Sequence, residues 1–149
     1  MAYNIAYRLL ACPDTATEAT QEAFLAALND AGAQECSFRV RLLRAVVAAC
    51  AKRLHRTRSV RPASADGSAS ADHPLDRDMV RAIEAGIARL PIEARVVLVL
   101  ADIQGLGYEE IAQVTGASRA AVGRRLGEAR ARLRDWLYGT RPVMGASSG

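Results

Sequence analysis

GYEEIAQVTGASRAAVGRRLGEARARL, residues Gly107 to Leu133, has the spacing of two short helices joined by a tight turn. A helix-turn-helix needs a small residue where the second helix crosses the first, a glycine in the turn and apolar residues that hold the angle. Ala112 is the small residue, Gly116 lies four positions on, and Ile111, Ala117 and Val122 are the apolar clamps. Ser118 stands where an N-cap hydroxyl is needed. Val122, Leu126, Ala129, Leu133 and Trp136 recur on one face of the second helix, leaving Arg124 and most of the remaining positive charge outward. The plainer alternative is a basic hairpin that closes an all-helical domain. Gly116 in register with Ala112, together with the arginine-rich second helix, favours a pair that lies on DNA.

Upstream, PIEARVVLVLADIQG follows a helix expected from Asp76 to Leu90 that carries Met79, Ile83, Ile87 and Leu90 inward. Pro91 ends that helix and suits the first position of the next. Periodicity leaves the continuous run VVLVL open between strand and helix, and its helical neighbours favour helix. In the N-terminal part, a first helix stops near Pro13. Thr15 with Glu18 has the form of a capping box and opens a second helix whose apolar members include Ala19, Ala23, Phe24, Ala27 and Leu28. A third helix runs from about Ser37 to Arg56. Leu42, Leu43, Val46, Val47, Cys50 and Leu54 share one arc of it, and Arg41, Arg44, Lys52 and His55 share the opposite one.

Between these parts lies a stretch of Pro, Gly, Ser, Ala and Asp without apolar periodicity, which cannot bury enough surface to offset its ordering entropy. The expected organisation is therefore all-α: two small helical domains, 1–57 and 76–139, joined by a flexible linker, 58–75, and followed by a disordered tail, 140–149. Hydrophobic residues make up 50% of the 149 but aromatic ones only 5%, which suits alanine-rich helices better than sheets.

The net charge of +4 is unevenly spread. Asp14, Glu18, Glu22, Asp30 and Glu35 occur with no Lys or Arg among them, whereas Arg39, Arg41, Arg44, Lys52, Arg53, Arg56, Arg58 and Arg61 occur with no acid. One acidic and two basic surfaces result, the second basic one on the last helix. No apolar run approaches the roughly 20 residues of a membrane span, and no signal segment opens the sequence, so no membrane insertion and a cytoplasmic location are expected. Cys12, Cys36 and Cys50 are odd in number and far apart, which argues for reduced thiols without a metal site. His55 and His73 are isolated, and neither a phosphate loop nor an HExxH motif occurs. Neither an enzyme nor a cofactor is indicated.

The segment LPIEARVVLVLADIQGLGYEEIAQVTGAS resembles the fourth region of the extracytoplasmic-function group of bacterial RNA polymerase sigma factors, through Leu90-Pro91, Arg95, Leu98, Gly105, Tyr108 to Ala112 and Gly116. YRLL, DTATEATQEAFLAAL and SFRVRLLRAVVAACAKRLHR are similar to that family's second region. The resemblance implies a transcription initiation factor whose second region docks on core RNA polymerase and helps open the minus-10 promoter element, while the fourth reads the minus-35 element. Partners implied are core polymerase, promoter DNA and, as a candidate third, an anti-sigma factor. Carried over by position, Glu18, Gln21, Glu22 and Phe24 become core-polymerase contacts, and Arg41, Arg44, Lys52, Arg56, Ser118, Arg119, Arg124 and Arg125 become DNA contacts.

Departures from the family pattern are informative too. The family commonly has Trp near Val40, Asn near Ala48 and Asp near Lys52. Ala48 has no group with which to hydrogen-bond an extruded base. Gly123 and Glu128 replace common basic positions, Arg124 replaces a small polar one, and Gly123 and Gly127 each weaken the helix by roughly 1 kcal/mol relative to alanine. These losses motivate an alternative: a sigma-like interaction protein that binds an anti-sigma factor or core polymerase without opening promoters.

Overall fold

The structure, a computed structural model, describes residues 1–30, 36–57 and 74–139. The described residues form α-helices and one π-helical turn, with no strand among them. Most of the expected linker and the whole expected tail lie outside these residues. The linker's last two positions, however, belong to a helix that begins at Pro74, since the first helical turn tolerates proline.

Helix α1 (Ala2–Leu10) buries Ala2, Ile5, Ala6 and Leu9, one stripe at helical spacing. It ends at Ala11 in the left-handed region, with φ of 54° and an N–H donated to the Tyr7 carbonyl. Proline disfavours a helical residue before it, so Cys12 is extended and Pro13 becomes the first residue of α2 (Pro13–Asn29). This corrects the expected capping box. The Thr15 hydroxyl instead donates to Cys12 Sγ at 3.3 Å, holding that thiol's pKa below its ordinary value.

Within α2 only alanines turn inward: Ala16, Ala19, Ala23 and Ala27 form a smooth ridge that lets α1 and α3 approach closely. Phe24 and Leu28 are 41% and 68% exposed. Helix α3 (Phe38–Thr57) starts where Ser37 Oγ accepts the Val40 N–H, and it buries Val40, Leu42, Leu43, Val46, Ala49 and Cys50. Burial pushes the Cys50 thiol up to about 12.

In the C-terminal half, α4 (Pro74–Ala88) and α5 (Ile92–Leu98) flank Pro91, which serves as N-cap of α5 rather than its first residue. Met79, expected inward, is 48% exposed, because α4 packs through Ile83 and Ile87 farther along its length. VVLVL is helical. It continues α5 into a π-turn (Val99–Ile103) in which the Gln104 N–H reaches back five residues to the Val99 carbonyl. Residues Val96 to Leu100 are buried because α7 and both α1 and α3 close around this segment, which accounts for the absence of an amphipathic pattern. Helices α6 (Tyr108–Thr115) and α7 (Arg119–Gly139) complete the chain.

Arg95 is the one charged residue in the core among the described residues, 9% exposed. Nη1 donates to the Leu9 carbonyl at the end of α1, and Nη2 donates to the Ala88 carbonyl at the end of α4 and to the Leu90 carbonyl in the turn that follows it. The Leu9 and Ala88 carbonyls belong to helix C-termini, whose orphan acceptors and partial negative charge suit a guanidinium. Desolvation nevertheless lowers its pKa.

Two stability predictions follow from the packing. Arg95→Ala should cost about 3 kcal/mol, since it orphans buried acceptors of charge-assisted bonds, and Arg95→Lys should recover only part of this because an ammonium lacks the planar fork. Urea unfolding of the full chain measures both. A side chain on Gly86 would place Cβ 2.5 Å from Trp136 Cδ1, and that ring is fixed by a bond from Nε1 to the Ala82 carbonyl and by Arg89 stacked on its face. Gly86→Val should therefore destabilise by about 2 kcal/mol and red-shift emission from Trp136, the single tryptophan.

Candidate nucleic-acid interface

The turn between α6 and α7 is built as the sequence implies. Gly116 takes φ of 70° and donates its N–H to the Ala112 carbonyl at 2.9 Å. Ser118 Oγ accepts the Ala121 N–H at 3.1 Å and so caps α7. Ile111, Val114, Val122, Leu126 and Ala129 are buried between the helices, while Leu133 is half-buried at the edge. The interhelical angle is thus set by apolar contact, which leaves the outer face of α7 open.

On that face Arg119 and Arg124 are exposed, and Arg125 is half-buried in a shallow cleft with Pro91, Glu93, Ala94, Glu128 and Arg132. Arg130, also on the arginine-rich second helix of the pair, is not a free charge. Its Nε and Nη2 both bond the Asp102 carboxylate, which raises its pKa further. Asp102 lies in the π-turn, so this bidentate pair ties that turn to α7. A Cβ on Gly127 would meet nothing and one on Gly123 only the Tyr108 ring at 3.5 Å, so packing requires neither glycine.

The basic arc of α3 is largely engaged within the chain. Arg44 Nη2 donates to the Gln113 carbonyl in the last turn of α6, at 2.9 Å. Arg41 reaches the Asp30 carbonyl at 3.4 Å and lies over the Phe38 ring. Lys52 is 3.7 Å from Glu22. Arg56 is exposed in the last turn. Ala48 is exposed in a groove between α2 and α3 that Ala23, Ala26, Ala45 and Ala49 also line, with Glu22 and Lys52 at its rim. Spacing alone places arginines on a face; it does not say which neighbouring carbonyl or carboxylate will take them.

Of the four α2 residues assigned to core polymerase, Glu18, Gln21 and Phe24 are exposed. Phe24 sits 6.5 Å from Phe38, ring centre to ring centre. Glu22 differs from these three because Arg53 bonds it at 2.8 Å and holds its carboxyl below the ordinary range. It is a strut between α2 and α3 as well as a surface charge. Leu25 and Leu28, 62% and 68% exposed, extend the surface of Phe24 into an apolar patch. Sequence reasoning did not single out Leu25, although unpaired leucines opposite an alanine ridge were a signal for it.

No group of side chains able to hold a metal ion occurs among the described residues, and no described helix is long and apolar enough to cross a membrane.

Residues 81–133 match the family described as Sigma-70, region 4. Over 123 residues the chain is 33% identical to the ECF RNA polymerase sigma factor SigM of Mycobacterium tuberculosis, covering 80% of this chain and 63% of that protein. The chain thus spans less than two thirds of that curated relative. A second relative, the ECF RNA polymerase sigma factor SigE of Mycolicibacterium smegmatis, is 42% identical over 55 residues, 37% of this chain and 21% of that protein. Among solved structures, CnrH in complex with the cytosolic domain of CnrY is 26% identical, with a TM-score of 0.69 over 94% of this chain and 82% of its own. The sigma factor RpoE of Bartonella quintana, in complex with the anti-sigma factor NepR, shares the fold at the same TM-score and 18% identity, over 94% of this chain and 91% of its own. Residues 81–133 thus match Sigma-70, region 4, and over a longer span the chain is similar to extracytoplasmic-function sigma factors.

Proposed function

We propose that the protein is a transcription initiation factor that binds core RNA polymerase through residues 1–57 and promoter DNA through both halves, residues 76–139 taking the minus-35 element. It acts by binding, without catalysis of its own, in the cytoplasm where its polymerase works. The observation that carries this reading is the outer face of α7, where Arg119 and Arg124 are exposed beyond a capped and apolar-locked turn. The apolar patch of Phe24, Leu25 and Leu28, with Glu18 and Gln21 beside it, supports a protein partner on α2. Chains with this fold have been solved with a second protein bound, one of them named as an anti-sigma factor, which supports a regulator of that class for this chain as well.

Transcription from a randomised promoter library with purified core polymerase tests the proposal directly. Enrichment of a defined pair of promoter elements is the expected result, and no enrichment over core alone removes it.

On α7 the roles of two adjacent arginines separate, because neighbours on a helix point about 100° apart. Half-buried Arg125 is the phosphate clamp, and exposed Arg124 faces the groove. Arg125→Ala should weaken binding to all minus-35 variants alike and lower the salt slope by about one unit. Arg124→Ala should flatten discrimination by roughly 1 to 3 kcal/mol. Asp102→Ala, by releasing Arg130, should raise affinity for every duplex and steepen the salt slope by about one. Fluorescence anisotropy of the full chain over a salt series reads all three.

Core binding is best probed away from Glu22, whose loss would also break the strut to Arg53. Gln21→Ala combined with Phe24→Ala should weaken core affinity at least tenfold, as expected for an aromatic anchor near the centre of an interface, with helicity by circular dichroism unchanged. Unchanged affinity would move the polymerase contact elsewhere.

A further inference from the structure

The outer face of α7 carries few side chains of any length. Counted round the helix from buried Val122, Gly123, Gly127 and Ala120 stand at about 100°, 140° and 160°, and Arg124 and Glu128 at about 200° and 240°. A Cβ on Gly127 would meet nothing, and Gly123 is bordered only by the Tyr108 ring. In the first three turns, Arg124 and Glu128 are therefore the only side chains longer than a methyl group opposite the buried stripe. Other arginines lie on the margins, Arg119 at about 60° on one side and Arg125 and Arg132 at about 300° and 280° on the other. Two basic margins with a nearly bare centre match a groove bordered by two rows of phosphates. Small residues let a helix of about 10–12 Å diameter seat deeply in a groove about 12 Å wide.

Glu128 is the anomaly on this surface. It is exposed and makes no ion pair among the described residues, although Arg124, Arg125 and Arg132 lie within four positions of it. It also lines the cleft that holds Arg125, where a carboxylate repels the phosphate that this arginine clamps. An acid seated there is compensated only by a donor on the duplex, and on a major-groove base edge that donor is an exocyclic amine. Cytosine presents its N4 amine alone. Adenine presents N6 beside N7, an acceptor that would face the second carboxylate oxygen, so cytosine is the better fit.

We propose that Glu128 is a specificity-determining residue that accepts a hydrogen bond from cytosine N4, while Arg124 donates its fork to guanine N7 and O6. The inference rests on the reading of α7 as the DNA-reading helix and adds the bases that this helix selects. The two side chains are one turn apart, about 6 Å along the axis, and base pairs rise by about 3.4 Å, so the selected guanine and cytosine lie one or two base pairs from each other. Glu128 adds little affinity, since its charge opposes the phosphates. It acts by penalising every other base at its position, where the carboxylate is left without a donor.

Selection from a randomised duplex pool by the full chain, followed by fluorescence anisotropy on single-position variants of the enriched duplex, tests this. The parent is expected to enrich a guanine and a cytosine at that spacing. Glu128→Ala should bind duplexes lacking the cytosine more tightly than the parent does and lose the preference at that position, a change of about fivefold or more, with the guanine preference kept. Glu128→Gln should broaden the same position to adenine, because an amide offers a donor to N7 and an acceptor to N6. Arg124→Ala should flatten the guanine position and leave the cytosine one. If Glu128→Ala raises affinity for all duplexes alike and alters the preference at no position, Glu128 is a repulsive surface charge only and the proposal falls. If the parent binds duplexes yet enriches no cytosine at that spacing, the proposal also falls, while DNA binding by α7 stands. If the parent binds no duplex at any salt concentration, the DNA reading of α7 fails first and the role of Glu128 fails with it.

Discussion

Arg95 ties the end of α1 to the end of α4 through three backbone acceptors. A guanidinium removed from water requires several acceptors, and this one finds them at the converging ends of α1 and α4. Helix ends normally turn their last carbonyls to solvent or to a capping residue. Here two ends are turned toward a single cation, so the direction in which α1 finishes and the place where α5 begins become parts of one arrangement. Pro91 sits between them and breaks the helix so that Arg95 can point back at the turn it follows. The π-turn then shifts the helical phase after Leu98 and brings Asp102 to the side where α7 passes.

Electrostatics and packing divide the work differently in the two halves. Around the α6–α7 turn, apolar residues and a glycine fix the geometry, while charge is kept on the outside where it can meet a partner. In α1 to α3 the alanine ridge of α2 allows close approach, and charge is used to brace: Glu22 lies between Lys52 and Arg53. A side chain employed as a brace is a poor witness to function. Glu22 illustrates this, because its loss alters how α2 sits on α3 before any partner is considered.

Most helices were legible from the sequence because apolar spacing, Ser37, Gly116 and Ser118 each impose a local rule that the surroundings do not override. The start of α2 was misread where two local rules competed, a Thr-Glu capping pattern against a proline at the first turn. Proline prevailed because it constrains the residue before it as well as itself. Met79 was misplaced by a periodicity that holds for Ile83 and Ile87 but ends where α4 runs past its support. The candidate site shows the deeper limit. That Arg44 lies on a basic face could be read from its spacing; that a carbonyl 69 residues away takes it could not, because the partner is chosen by tertiary docking. Arg95 stood in the sequence as one residue of a family pattern, and its role emerged only when three backbone acceptors were seen around it.

The span of the Arg95 to Leu9 bond has a kinetic meaning. Its ends are 86 residues apart, whereas the helix pairs on either side are formed by near neighbours in sequence. Local contacts form early at small entropic cost, and a loop of that length closes late, although doubling its length would add only about 0.6 kcal/mol. The two halves are thus expected to acquire their helices separately and dock afterwards. During synthesis, α1 to α3 leave the ribosome before the segment that carries Arg95 exists, so a nascent chain passes through an interval in which its first half is folded and the Leu9 carbonyl still faces water.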